Sequence, residues 1–147
     1  MKKEDFLQDV IHEIEMLKKH ATKREKDNLS YAFLNPSHAS ACIYGQMTGD
    51  CRTPRAHKLM QISCIRTFDL TGGKKDLTIG MHMKTVLKYV NGPFASQGWG
   101  EQQLFNKKIH RRDYHYLSAL EGYIMLRRKN NEKIIQYIKG EIDTLKL

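Results

Sequence analysis

Phe6-Leu7-Gln8-Asp9-Val10-Ile11-His12-Glu13-Ile14-Glu15-Met16-Leu17-Lys18-Lys19-His20-Ala21 is the most periodic stretch of the chain. Leu7, Val10, Ile14, Leu17 and Ala21 recur at steps of three and four, Phe6 and Ile11 widen the stripe, and charges fill the other faces. That spacing puts one apolar face on an α-helix. The pattern predicts one long amphipathic helix over residues 3–29. Glu15 stands three and four residues before Lys18 and Lys19, which sets opposite charges side by side on its surface. The stripe suits either a packed bundle helix or a coiled-coil arm. Two heptads fall short of the three or four that argue for a coiled coil, which favours the bundle.

The last segment repeats the theme: Ile135, Ile138, Ile142 and Leu145 are spaced three, four and three apart, so the first and last helices are expected to pack on each other. Between them, Asn35-Pro36 and Thr53-Pro54 each place a capping side chain before a proline suited to the first helical position. They predict helices near 36–47, stopping at Gly49, and near 54–67, with Leu59, Met60, Ser63 and Cys64 on one side. The short link between them makes a helical hairpin. Thr71-Gly72-Gly73-Lys74-Lys75-Asp76 reads as a loop. Leu77, Ile79, Met81 and Met83 alternate like a strand, but Asn91-Gly92-Pro93 is good helix-ending chemistry, so a helix over 76–91 is expected. A hairpin joining 65–70 to 77–83 is the alternative. Asn91 to Gly100 is a loop anchored by Phe94 and Trp99. Helices follow near 101–111 and after Asp113, the latter burying Leu117, Leu120 and Ile124 and breaking at Asn130-Asn131. The expected fold class is mainly α, a single-domain helical bundle over residues 1–147, with room for one small β-hairpin at about 65–83.

The length of 147 residues and 40% hydrophobic content suit one ordinary domain with a sizeable core, and argue against wholesale disorder or a disulfide-dependent miniprotein. Mean hydropathy is −0.60, and no apolar run reaches the 18 or so residues of a membrane span. Charge arrives at once in Lys2-Lys3-Glu4-Asp5 with no apolar run behind it, so a secretory signal is not expected. Three cysteines, an odd number, with no export signal read as reduced thiols of a cytoplasmic protein.

The net charge of +9 is unevenly spread. Residues 1–34 hold seven bases and seven acids, whereas residues 73–112 hold eight bases and two acids. Those bases are Lys74, Lys75, Lys84, Lys88, Lys107, Lys108, Arg111 and Arg112. Lys84 and Lys88, and the pairs Lys107-Lys108 and Arg111-Arg112, are at i, i+4 spacing, where like charges on a helix face repel unless a counter-charge meets them. Phosphates are the commonest such partner, and Trp99 among these bases could stack on an unpaired base. The expectation is a small basic, non-catalytic protein that contacts DNA or RNA phosphates through this segment. Docking on an acidic protein surface, as an adaptor or inhibitor, is the alternative. No membrane partner is expected.

Sites of chemistry are fainter. Tyr44-Gly45-Gln46-Met47-Thr48-Gly49-Asp50-Cys51 looks specialised, and Arg52 and Arg55 flank the next helix start, where free N–H groups and the dipole favour an anion or an acidic partner. Cys42, Cys51, His57 and Cys64, with His38 as a substitute, are too widely spaced for a structural zinc site. Cys51, in a loop beside Arg52, is placed for a lowered thiol pKa, but no base is fixed near it. His110 and His115 with Arg111 would make a third reading, a histidine-based nuclease. No phosphate-loop or dinucleotide fingerprint is present, and no metal or cofactor is expected.

Overall fold

A computed structural model describes residues 3–35, 38–64, 67–69, 80–82, 117–126 and 128–147. These residues are predominantly helical. The N-terminal stripe forms α1 (Lys3–His20), whose Val10, Ile14 and Leu17 are fully enclosed. The long helix expected over 3–29 stops early, at His20. Thr22 ends it by starting another: its hydroxyl accepts from Glu25 N at 3.1 Å and the Glu25 carboxylate accepts from Thr22 N at 2.8 Å. This reciprocal capping box opens α2 (Lys23–Asp27) in a new direction.

A single 3₁₀ turn (Tyr31–Phe33) leads towards α3 (Ile43–Thr48), which is shorter than the helix expected over 36–47. Residues 38–42 make turns, and Cys42, not Asn35, is the cap: its sulfur accepts from Gly45 N at 3.3 Å. Gly49 ends α3 with a φ of +95°, at the position expected from sequence. Thr53 caps α4 (Pro54–Ser63) through Ala56 N at 3.2 Å, again as expected, with Pro54 at the first helical position. Leu59, Met60, Ser63 and Cys64 are all buried, but α4 ends at Ser63, four residues before the expected end.

Short strands β1 (Thr67–Asp69), β2 (Gly80–His82) and β3 (Leu117–Ser118) are ordered β2-β1-β3. β1 runs antiparallel to β3 and parallel to β2, with Phe68 opposite Met81. Gly80–His82 is therefore extended where a helix over 76–91 is expected, because its backbone pairs with β1. The rest of that span, including the turn of the alternative hairpin, lies outside the described residues.

α5 (Ala119–Leu126) buries Leu120 and Ile124, two of the three residues expected on its stripe. After a 3₁₀ turn (Arg128–Asn130), α6 (Asn131–Lys139) buries Ile134, Ile135 and Ile138. Gly140, with a φ of +81°, ends it, and Glu141 N reaches back to Gln136 O at 2.8 Å. This glycine stop puts Ile142 and Leu145 beyond the helix expected to carry them, although Leu145 still packs on the core.

α1 is the central element, packed by α4, α5 and α6. The expected meeting of first and last helices is observed: Lys18 donates to Tyr137 O at 2.8 Å while its ammonium lies 4.2 Å from the ring centre, and the Tyr137 hydroxyl donates to Glu15. Among the described residues, no helix is long and apolar enough to cross a membrane.

Candidate functional site

The face of α1 that carries the core also carries a carboxylate. Glu13 lies between Val10 and Ile14 on the stripe and is fully buried. Its Oε1 accepts from Leu120 N at 2.9 Å and its Oε2 is 2.6 Å from the Tyr44 hydroxyl. Ser118 also bonds Glu13, while its own oxygen accepts from Glu121 N at 3.1 Å. Glu13 and Ser118 thus satisfy two of the N–H groups that the first turn of α5 leaves without a partner inside the helix.

On the other side, the Tyr44 hydroxyl lies 2.7 Å from Ser63 Oγ and 3.3 Å from Cys64 Sγ, and Ser63 Oγ lies 2.7 Å from Leu59 O. Each hydroxyl has one proton to donate. If Ser63 gives its proton to Leu59 O, it must accept from Tyr44, and the close Tyr44–Glu13 contact then requires the proton on Glu13. If Glu13 is ionised, the chain reverses: Tyr44 donates to Glu13, Ser63 donates to Tyr44, and Leu59 O loses its side-chain donor. Protonation of one carboxyl is therefore coupled to the orientation of two hydroxyls across α1, α3 and α4.

Burial drives this carboxyl towards the neutral form. It raises Glu13 from the ordinary 4.5 to about 7, against the opposing hydrogen bonds from Ser118, Tyr44 and Leu120. Glu121, also buried, is pushed well up by desolvation and then by the neighbouring Glu13 charge. Burial likewise raises the Tyr44 hydroxyl and the Cys64 thiol. The arrangement holds a proton at an enclosed site near neutral pH, with no cation among its named partners.

Cys42 and Cys51 stand beside this centre. The Cys42 thiol bonds Cys51, and Glu121 faces both. His57 and His38 are exposed, with His38 Nδ1 turned 2.9 Å from Ser40 Oγ. Among the described residues, no group of three or more His, Cys, Asp or Glu is placed to hold a metal ion.

The second site expected from sequence, at the start of α4, is a groove of about 680 Å³ lined by residues of α2, α3 and the Thr53–Arg55 turn. Arg55 lines this groove and Arg52 does not, and each of the two is engaged by a carboxylate of the chain. Arg55 grips Glu25 with two contacts, at 2.8 and 2.9 Å, and holds that carboxyl below its usual range. Arg52 grips Asp50 in the same manner, at 2.9 and 2.8 Å. The Tyr44–Cys51 stretch is inward-facing at its start: the Tyr44 ring is buried, and a Cβ on Gly45 would stand 2.0 Å from Ala39 O.

Lys74, Lys75, Lys84, Lys88, Trp99, Lys107, Lys108, Arg111 and Arg112 lie outside the described residues, as do His110, Asp113 and His115. Residue-by-residue reading passed over Glu13 and Glu121. A signal for each was present: a carboxylate inside an apolar stripe, Glu13 one residue before Ile14 and Glu121 one residue after Leu120. No family model, curated protein or solved structure matches this chain.

Proposed function

We propose that this protein binds nucleic acid through its backbone phosphates, with residues 73–112 as the contacting segment. The observation that carries this reading is the sequence count of eight bases against two acids there. What supports it is the contrast with the helical frame, several of whose cations are engaged at home. Arg52 and Arg55 are held by Asp50 and Glu25, while Lys18, Lys26 and Lys139 donate to the carbonyls of Tyr137, Lys18 and Leu29. Lys74, Lys75, Lys84, Lys88, Lys107, Lys108, Arg111 and Arg112 have two acids of their own segment, Asp76 and Glu101, to share. Each phosphate neutralised releases condensed counterions, which supplies most of the affinity without reading sequence, and Trp99 adds stacking on an unpaired base.

The test is fluorescence anisotropy of labelled single- and double-stranded DNA and RNA, titrated from about 50 to 200 mM salt. With six or more phosphates contacted, affinity falls by about 10³-fold or more over that range. Arg111→Glu with Arg112→Glu weakens all sequences alike. Absence of binding at low salt, or a flat salt response, overturns the proposal and turns the basic segment towards an acidic protein surface, to be sought by pull-down.

A further inference from the structure

Two of the three cysteines are brought together by a single carbonyl group. Cys42 caps the start of α3 and Cys51 lies just past its end. Ala39 O accepts from Cys51 N at 2.8 Å and from Cys42 Sγ at 3.7 Å. Ala39 is itself wedged against the helix at Gly45, the contact that leaves no space for a Cβ. The turn over 38–42 and the loop after Gly49 are thus clamped to one another, with both cysteines as thiols at the junction. Cys42 is 2% exposed, whereas Cys51 is half-buried and packed on the same core. We propose that Cys42 and Cys51 form a redox-active dithiol that closes reversibly to an intramolecular disulfide, with Cys51 attacking and Cys42 resolving.

The roles follow from environment. Only a thiolate attacks, and access decides which one does. Cys51 has the access, and the hydrogen bond from Cys42 lowers its thiol below the ordinary range, with help from the Arg52 charge and against burial and Asp50. Cys42 is pushed the other way by that same bond, by burial and by Glu121. The oxidant is a small disulfide such as oxidised glutathione. The Cys51 thiolate attacks one of its sulfurs, forming a mixed disulfide and expelling one glutathione thiolate, which takes up a proton from water. Cys42 then loses its proton to water, its thiolate attacks Cys51 Sγ, the Cys42–Cys51 bond forms as the bond to glutathione breaks, and the second glutathione thiolate takes up a proton from water. Two protein thiols are oxidised and one glutathione disulfide is reduced to two thiols.

Cys64 does not compete, because its sulfur is held at the Tyr44 hydroxyl at the far end of α4. Closure has an opposing cost that keeps it reversible. Cys42 bonds the buried Glu121, whose Oε1 has no hydrogen-bond partner among the described residues. Cys42 has a single S–H proton to share among Ala39 O, the Cys51 sulfur and Glu121, and oxidation removes it, which favours the reduced form.

The experiment equilibrates the full chain in glutathione buffers from reduced to oxidised, quenches with acid, labels remaining thiols under denaturing conditions and maps the peptides. The expected result is the joint loss of two thiols of three, a peptide cross-linked between Cys42 and Cys51, and full reversal in excess reduced glutathione. Cys64→Ser leaves this result unchanged, and Cys42→Ser traps glutathione on Cys51. Should Cys42→Ser fail to fold, the peptide map of the unaltered chain decides alone. Glutathione retained on Cys51 without the cross-link, a bond to Cys64, or three unreacted thiols would each overturn the proposal. The readout involves no nucleic acid, so its failure leaves the phosphate-binding reading standing, and the reverse holds.

Discussion

Glu13 and Glu25 stand twelve residues apart on successive helices and meet opposite fates. Glu25 sits at the α2–α4 corner, where a two-pronged Arg55 contact and the Thr22 N–H keep it ionised. Glu13 accepts hydrogen bonds too, from Leu120 N and its hydroxyl neighbours, yet burial wins and its pKa climbs to about 7. The difference is the cation. Donors without a formal charge satisfy a carboxylate's lone pairs but do not replace the hydration of a full negative charge. At the corner the electrostatics favour the charged acid, and in the centre they favour the proton.

The sharpest way to break the centre while leaving the corner intact is Gly45→Ala. The new methyl group must displace Ala39, Tyr44 is the adjacent residue, and overpacking of this kind costs about 3 kcal/mol. Chemical denaturation at fixed pH measures the loss.

The pH dependence separates the two regions by sign. An acid whose folded pKa is raised loses its proton first in the unfolded chain, so Glu13 lowers stability by about 3 kcal/mol as pH rises from about 4.5 to 7. Glu121 acts in the same direction. Glu25 has a depressed pKa, so its contribution is complete above 4.5 and is lost as pH falls further. Denaturant midpoints at pH 5 and pH 8 should differ in the wild type and lie closer together in Glu13→Gln, the remaining difference belonging to Glu121. An unchanged slope would show that Glu13 is not the titrating group.

Tyr44→Phe removes the middle hydroxyl of the chain at an expected cost of about 1–3 kcal/mol, since a buried partner is left unsatisfied, and it steepens the slope between pH 5 and 7. The corner gives the smallest effects. Arg55→Met costs about 1 kcal/mol, because the arginine is over a third exposed and its pair is screened by water. Lys23→Ala, which breaks an i, i+4 pair to Asp27 on the outer surface, costs about 0.3 kcal/mol and serves as the surface reference.

The elements legible in the sequence were those set by side chains acting on their own backbone. Thr53-Pro54 starts α4, Gly49 ends α3, and the α1 stripe gives the core its main face, all without reference to distant residues. The boundaries that differ from the sequence pattern have local causes that are also written in the chain. Thr22 and Glu25 form a capping box that outweighs an apolar stripe continuing past Ala21, and Gly140 stops a periodicity that Ile142 and Leu145 continue in sequence. The buried centre was the least legible part, for a physical reason. Glu13 has meaning only once Tyr44, Ser63 and the Ser118–Leu120 segment arrive from three other places, and no local pattern reports such a meeting. The cysteines show the same limit: the gap between Cys42 and Cys51 in sequence gives no hint that one carbonyl seats both.

The bond from Leu120 N to Glu13 also sets a timetable for synthesis. Its partners are 107 positions apart, and α6, which covers the same helix, follows later still. On a ribosome adding about 5–20 residues per second, α1 therefore waits for roughly 5–25 s before its last cover emerges. During that interval Glu13 is wetted and ionised, and its charge interrupts the apolar stripe of α1 while that stripe is still uncovered. The nascent chain carries a temporary solubilising group that the finished fold then neutralises.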